Sequence, residues 1–178
     1  MYIDDYGRVI IDMGINDNLI EDYRSVITNT ILSNETIVKV LSNDTLDLES
    51  ADELLWEHLV PQQYIPDTIT ETGSYILYDL DETVLYNRGS NKGTYIELTL
   101  YVWILTHKDM PKYGGRLRND ILARELKKLF NETDDMGIGK NHLISNNIFN
   151  SPNYKYMGRL LTFKITDWSD KIRGLNNG

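Results

Sequence analysis

Residues 74–106 read SYILYDLDETVLYNRGSNKGTYIELTLYVWILT and contain two long segments in which apolar residues recur at every second position. This is the period of a β-strand that places one face on a core, and it predicts strands over residues 75–86 and 94–106. Residues 87–93, NRGSNKG, are rich in the asparagine and glycine that favour turns. The stretch therefore predicts one long antiparallel hairpin.

Helical spacing of apolar residues occurs on both sides of this hairpin. It predicts a helix from Asp17 to about Ser33, and a second helix over residues 117–130. The outer face of the second helix is basic and carries Arg118, Arg124, Lys127 and Lys128. Each helix has one apolar stripe, so both are expected to pack on the sheet.

Shorter elements are expected between the first helix and the hairpin. Residues 35–44 fit either a helix or a strand, because periodicity does not separate the two over so few residues, and a helix is favoured. Ser50 followed by Glu53 is typical of a capping box, which predicts a helix over residues 51–59 that stops before Pro61.

The predicted order of elements indicates the fold class. Two further strands are expected at residues 143–149 and 156–168. Helices that are segregated from an antiparallel sheet indicate an α+β domain. We expect about four strands with a long central hairpin, and helices packed on one face.

The length of 178 residues fits one domain with a real core. The predicted organisation is an N-terminal arm at residues 1–15, which includes a small hairpin, and a single α+β domain at residues 16–170. The domain contains an inserted helix and loop at residues 42–72. Residues 171–178 are expected to form a flexible tail.

Composition excludes several classes of function. No window approaches the roughly 18 apolar residues of a membrane-spanning helix, and the start is acidic where a signal peptide would be basic. The absence of cysteine excludes disulfides, thiolate metal sites and cysteine nucleophiles. His58, His107 and His142 lack the spacing of metal ligands. We therefore expect no cofactor, no metal and no membrane partner.

The charge is distributed unevenly along the chain. Residues 1–90 hold 18 acids and 4 bases, whereas residues 91–178 hold 9 acids and 14 bases. Two interpretations stay open: two solvated faces of one domain, or head-to-tail association of acidic and basic surfaces. The net charge of −9 disfavours sequence-independent binding of duplex DNA, although the basic residues could still line a channel.

Residues 76–85, ILYDLDETVL, resemble the first motif of the haloacid-dehalogenase-like phosphatases. That resemblance implies that Asp79 is the nucleophile and Asp81 the general acid and base, with a magnesium ion between carboxylates. However, that fold joins parallel strands by a helical crossover, and residues 87–93 are too short for one. We therefore predict that Asp79 and Asp81 lie on the outer face of a hairpin strand, and that the chain is not an enzyme.

The order of elements resembles another family. The helix at residues 17–32, the hairpin, the helix RLRNDILARELKKLF (residues 116–130) and the strand YMGRLLTFKITDW (residues 156–168) are similar in order to the tail-terminator, or tail-completion, proteins in the neck of long-tailed bacteriophages. The resemblance implies a ring-forming α+β subunit, commonly in a hexamer, that caps the tail tube and docks the head connector. It implies no catalytic residues. The arm and the insertion leave a head-completion or connector role open.

The expected subunit contacts are aromatic and basic. The hairpin aromatics Tyr75, Tyr95, Tyr101 and Trp103 are predicted to be exposed, although helices covering that face would bury them. Further predicted contacts are Arg88 and Lys92 at the tip, and Arg116, Arg118, Arg124, Lys127 and Lys128 on the basic helix. The expected partners are further copies of the chain, other phage neck and tail proteins, and DNA touched passively in a channel. The expected location is the virion, assembled in the host cytoplasm.

Overall fold

The computed structural model describes residues 2–3, 9–10, 19–62, 72–86, 93–134, 136, 140–150 and 155–168. The elements in chain order are β1 (Tyr2–Ile3), β2 (Val9–Ile10), α1 (Leu19–Leu32), α2 (Glu35–Ser42), a 3₁₀ turn (Ala51–Leu54), β3 (Leu59–Val60), β4 (Ser74–Tyr86), β5 (Gly93–His107), β6 (Lys112–Tyr113), β7 (Arg116–Leu117), α3 (Arg118–Phe130), β8 (His142–Asn150) and β9 (Tyr156–Trp168).

Five strands form the central sheet in the order β3-β4-β5-β9-β8. β4 and β5 pair antiparallel from Ser74 opposite Thr106 to Leu85 opposite Tyr95, which confirms the predicted hairpin. β5, β9 and β8 are also antiparallel to their neighbours. The short β3 pairs parallel to β4 and adds a fifth strand to the four that were expected. The fold is α+β, as predicted.

α1 and α3 lie where helical spacing predicts them, and α2 forms at Glu35–Ser42, where a helix was favoured over a strand. Asn34 begins α2, because its side-chain oxygen accepts the Ile37 backbone N–H at 3.0 Å. Asn43 adopts the left-handed conformation at φ 58° and ends α2 by donating its N–H to the carbonyl of Lys39. Within the described residues, no helix is long and apolar enough to cross a membrane.

The helix predicted over residues 51–59 is wrong. Only the 3₁₀ turn forms, and the chain then enters β3. The Ser50 hydroxyl donates to the carboxylate of Asp47 at 2.9 Å and so does not cap a helix. Trp56 adopts a left-handed φ of 70°, and its N–H donates to the carbonyl of Leu59 at 2.8 Å. The chain therefore forms this local turn, which directs it into β3, in place of the predicted helix.

The sheet buries residues on both faces. One face carries Tyr78, Leu98, Leu100, Phe163 and other core residues beneath the three helices. The opposite face holds a second buried cluster of Val60, Tyr75, Leu77, Trp103, Leu105 and Tyr156. The prediction of exposed aromatics is therefore wrong for Tyr75 and Trp103, which is only 8% exposed. Both side chains pack inside this second cluster instead of facing solvent: Tyr75 lies edge-on to Tyr156, and Trp103 stacks with Tyr101.

Gly158 allows β9 to pack closely against β5. It lies opposite Leu105, and a Cβ built at this position would be 1.6 Å from the carbonyl oxygen of Ile104. No side chain fits there without moving the backbone of β5. Glycine is therefore required at the point where β9 joins the hairpin.

The structure describes few residues at the two ends of the chain, so it tests little of the predicted domain organisation. β1 and β2 pair antiparallel, in agreement with a small N-terminal hairpin. Residues 87–92 of the predicted hairpin tip (87–93) and the predicted tail at residues 171–178 lie outside the described residues, and Gly93 begins β5. The boundaries of the arm, the domain and the tail stay predictions.

Candidate subunit interface

The strand β8 forms an outer edge of the sheet. Its start is partly closed, because the Leu143 N–H donates to Asn131 Oδ1 at 2.8 Å and a bulge interrupts the ladder between Leu143 and Ser145. No strand pairs with its outer side in the part of the chain that the structure describes. Its sequence, HLISNNIFN, contains no aspartate, glutamate, lysine, arginine or proline. Soluble proteins commonly place charges or prolines on exposed edges to prevent pairing with another chain. β8 is therefore open to such pairing beyond its bulge, over residues 146–150.

Apolar side chains are exposed along the same edge. Ile148 is 80% exposed and Ile144 is 54% exposed. Ile148 lies opposite Arg159 across the β8–β9 ladder, and Met157, which is 43% exposed, is two residues from Arg159 on β9. Side chains two residues apart on a strand share a face. Ile148, Met157 and Arg159 thus lie together on the helix-covered side of the sheet.

A basic groove of about 520 Å³ lies between α3 and this part of the sheet. Four cations line it or stand at its rim: Arg124, Lys127, Lys128 and Arg159. The Arg159 guanidinium is fixed in place, because Nε and Nη2 donate to Asp120 Oδ1 at 3.0 and 2.8 Å. Its Nη1 donates to Asn146 Oδ1 at 3.3 Å, which ties the groove to β8.

The buried carboxylate of Glu125 on α3 neutralises part of the positive charge of Arg124 and Lys128. It accepts hydrogen bonds from Arg124 Nε at 2.9 Å and from Lys128 Nζ at 3.0 Å. Burial raises the pKa of Glu125, but the bonds from Lys128 and Arg124 together outweigh it, so its pKa is lowered. Lys127 is exposed and has no ion pair within the described residues. The groove keeps an excess of positive charge.

We call the exposed residues of β8 with Met157 and the groove cations the β8 surface. It joins an unpaired backbone edge, exposed apolar side chains and fixed positive charge. An arrangement of this kind fits the docking of another protein chain.

The opposite edge of the sheet belongs to β4. β3 pairs only with Ile76 and Leu77. Arg24 of α1 then donates to the carboxylate of Asp79 and to the carbonyl of Pro61, and Asp79 Oδ1 also accepts the backbone N–H of Leu80 at 2.9 Å. These contacts close the edge as far as Leu80.

The remainder of this strand, residues 81–86, is here named the β4 edge. No strand pairs with its outer side among the residues that are described. Asp81 and Glu82 are exposed on it. α1 contacts the same strand just before this edge, since the Tyr78 hydroxyl donates to the Arg24 carbonyl at 2.9 Å, and the first turn of α1 carries the exposed acids Glu21 and Asp22. This side of the molecule is acidic.

Arg118 is not a surface cation. It is 2% exposed, and its guanidinium donates to the carbonyl of Val40 and to Asn43 Oδ1, both at 2.6 Å, and to the carbonyl of Lys112 at 3.1 Å. Burial lowers its pKa. The prediction that Arg118 contacts a neighbouring subunit is corrected, because the side chain binds the carboxyl end of α2 inside its own chain.

The other predicted contact residues divide into three groups. Arg116, Arg124, Lys127 and Lys128 are exposed as expected. Tyr95 and Tyr101 are half-buried, and Tyr101 stacks on the buried Trp103 at 5.9 Å between ring centroids, so Trp103 is not available for contact. Arg88 and Lys92 lie outside the described residues. Sequence reasoning missed Ile144, Ile148 and Met157, although the uncharged run HLISNNIFN was a visible signal.

The pair of aspartates lies on an antiparallel hairpin. β4 and β5 run side by side in opposite directions, so the parallel arrangement that the phosphatase resemblance requires is not formed by these strands. Asp81 is exposed, as predicted for the outer face, and Asp79 is half-buried because Arg24 covers it. Among the described residues, no three histidine, aspartate or glutamate side chains are grouped as metal ligands.

A family model described as YomW matches residues 34–165, which include α2, the complete sheet except the last residues of β9, and α3. No curated protein matches the chain.

Proposed function

The chain belongs to the YomW family, whose name is one given to Bacillus phage SPBeta-like proteins, and from this phage-associated origin we propose a structural role in the virion. The proposed protein is a ring-forming subunit of the neck, at the tail-terminator position that joins the tail tube to the head connector. The order of its helices and strands, which resembles that of tail terminators, supports this role.

The observation that carries the proposal is the unprotected edge of β8. Beyond the bulge at Leu143–Ser145, residues 146–150 of β8 carry no aspartate, glutamate, lysine, arginine or proline, and no strand of the described residues pairs with their outer side, where Ile148 is exposed. In a permanent monomer such an edge promotes aggregation. In an assembly subunit it is a contact surface, and the exposed apolar side chains gain a partner that covers them.

The distribution of charge supports association of identical chains. One side of the molecule is basic at α3, and the other is acidic at the start of α1 and on the β4 edge. Contacts between two different surfaces of identical subunits generate rings when the rotation closes. Such a ring would also meet other neck and tail proteins through its two open faces, and DNA passively in its channel.

The location of the protein in phage particles tests the proposal. We expect mass spectrometry of purified particles to find the chain at a fixed copy number, and labelled particles to show it between capsid and tail. Negative-stain images of the isolated protein, alone or with tail tubes, should show rings. Absence of the chain from purified particles would contradict a virion role, and a location elsewhere in the particle would contradict the neck position.

A phosphate-release assay tests the rival enzymatic reading. We expect no turnover of phosphate esters in the presence of magnesium. Turnover that the Asp79→Asn variant abolishes would overturn the structural role in favour of hydrolysis.

A further inference from the structure

We infer that β8 of one copy pairs antiparallel with the β4 edge of the next copy, so that one sheet continues across the subunit boundary. The inference rests on the proposed self-assembly and adds which two surfaces meet. Three features of the described residues carry it: strand direction, the part of each edge that is open, and charge.

Strand direction makes the two edges compatible. The long strands β4, β5, β9 and β8 alternate in direction along the sheet, so β8 runs opposite to β4. When a second copy is placed beside the first with its helices on the same face, β8 meets the β4 edge of that copy in antiparallel orientation. Antiparallel pairing uses well-aligned hydrogen bonds and needs no change in either chain.

The open backbone groups also correspond. Because the N–H of Leu80 is taken by Asp79 and faces outward, the alternation of an antiparallel strand directs the backbone groups of residues 82 and 84 outward as well. Arg24 and β3 block the edge before this point. The incoming strand is thereby confined to residues 81–86. The part of β8 that follows its bulge, residues 145–150, is long enough to span them.

Charge selects this contact over a symmetric one. On the helix-covered side, Arg124, Lys127 and Lys128 line the groove that reaches β8. Glu82 is exposed on the β4 edge, and the exposed acids Glu21 and Asp22 lie in the first turn of α1, the helix that contacts β4 at Tyr78. A continuing sheet would place α3 of one copy near α1 of the next, so that opposite charges face each other. Pairing of β8 with another β8 would instead bring two basic grooves together. The acidic edge is therefore the favoured partner.

Engineered disulfides test the contact directly, because the chain has no native cysteine. Glu82→Cys is combined in one chain with Asn146→Cys, Ile148→Cys or Asn150→Cys, which lie on the same face of the sheet and together cover the register. Three strand spacings, about 14 Å, separate β4 from β8 within a chain. A disulfide requires Cα atoms within about 7 Å, so it must join two copies.

The matched control is Glu53→Cys with the same β8 variants, since Glu53 is an equally exposed glutamate on the 3₁₀ turn. We expect oxidation to give a ladder of covalent oligomers with at least one Glu82→Cys pair, and at least ten times less cross-linking with the Glu53→Cys pairs. Mass photometry of the same samples without oxidation measures assembly independently.

The outcomes separate the inference from the proposed function. If the protein assembles but the Glu82→Cys pairs cross-link no better than the Glu53→Cys pairs, the strand pairing is overturned and the ring-forming role stands. If the protein stays monomeric at every concentration and with tail tubes present, the inference and the proposed role both fail.

Discussion

β4, beyond the short β3, and β8 form the two edges of the same sheet, and they differ in how each edge is covered. β4 is covered at its start by β3, closed at Asp79 by Arg24, and acidic beyond that point. β8 is bonded to Asn131 at Leu143 and bulged before Ser145, but residues 146–150 contain no charged residue and no proline, have no covering strand within the described residues, and expose Ile148. The comparison teaches that the chain closes both edges over part of their length and leaves one segment of each open, an acidic one on β4 and an uncharged one at residues 146–150 of β8. We therefore interpret β8 as a surface kept open for contact.

The largest expected effect on stability comes from substituting Gly158, which lets β9, the neighbour of β8, pack closely on β5. In Gly158→Ala the new Cβ would collide with the carbonyl of Ile104, so β9, which carries β8, cannot pack on β5. We expect a loss of more than about 4 kcal/mol in the free energy of unfolding, measured by urea denaturation. Thr166→Ala, an exposed change on the same strand, is the control. A Gly158→Ala protein as stable as this control would refute the close approach of β9 and β5.

An intermediate effect is expected from removing the Arg24 contacts that close β4 before Leu80. Arg24→Ala removes the hydrogen bonds to Asp79 and to the Pro61 carbonyl. We expect a loss of about 1–2 kcal/mol, because the arginine and its partners are only partly exposed. Amide hydrogen exchange near Leu80 should become faster. Arg116→Ala, which changes an exposed cation, should alter neither quantity. Unchanged exchange in Arg24→Ala would show that Arg24 does not close this edge.

A smaller, pH-dependent effect is expected at the groove beside β8. Because the pKa of Glu125 is lowered in the folded chain, its ionised form stabilises the fold above the pKa of an unfolded glutamate, about 4.3. That contribution is lost as the pH falls through the folded value. The exposed ends of Arg124 and Lys128 limit it to about 1 kcal/mol.

Urea denaturation at several pH values checks this contribution. Glu125→Gln should be less stable than the wild type at pH 7, and the difference should shrink below about pH 4. Glu53→Gln, at an exposed position, is the control. A stability difference for Glu125→Gln that does not change with pH would contradict the proposed role of its charge.

The parts of the fold that were predictable are those with long periodic patterns. α1, α3, the β4–β5 hairpin and β9 each repeat one spacing over a dozen or so residues, and that spacing reflects which face is buried. The 3₁₀ turn and β3 were not predictable, because a left-handed Trp56 has no signature in the sequence. Tyr75 and Trp103 were misassigned because aromatic residues occur on both faces of the hairpin, so alternation did not show which face is wet.

The candidate site was less predictable, since it depends on contacts between distant parts of the chain. Arg118 belongs to the basic face of α3 in sequence, but it is buried because the carbonyl of Val40 and the side chain of Asn43 reach it. The exposure of Ile148 follows from the position of β8 at the end of the strand order. Periodicity locates a strand but does not show which strand forms the edge of the sheet.

Sedimentation velocity over a range of concentrations tests the central claim, that β8 is a contact surface for another copy. The wild type should assemble into a discrete larger species. Ile148→Asp should keep the mass of one chain while losing less than about 0.5 kcal/mol of stability, because the side chain is 80% exposed. Leu48→Asp, an exposed change away from the sheet, should assemble as the wild type does. A wild type that never assembles, or an Ile148→Asp variant that assembles equally well, would contradict the account.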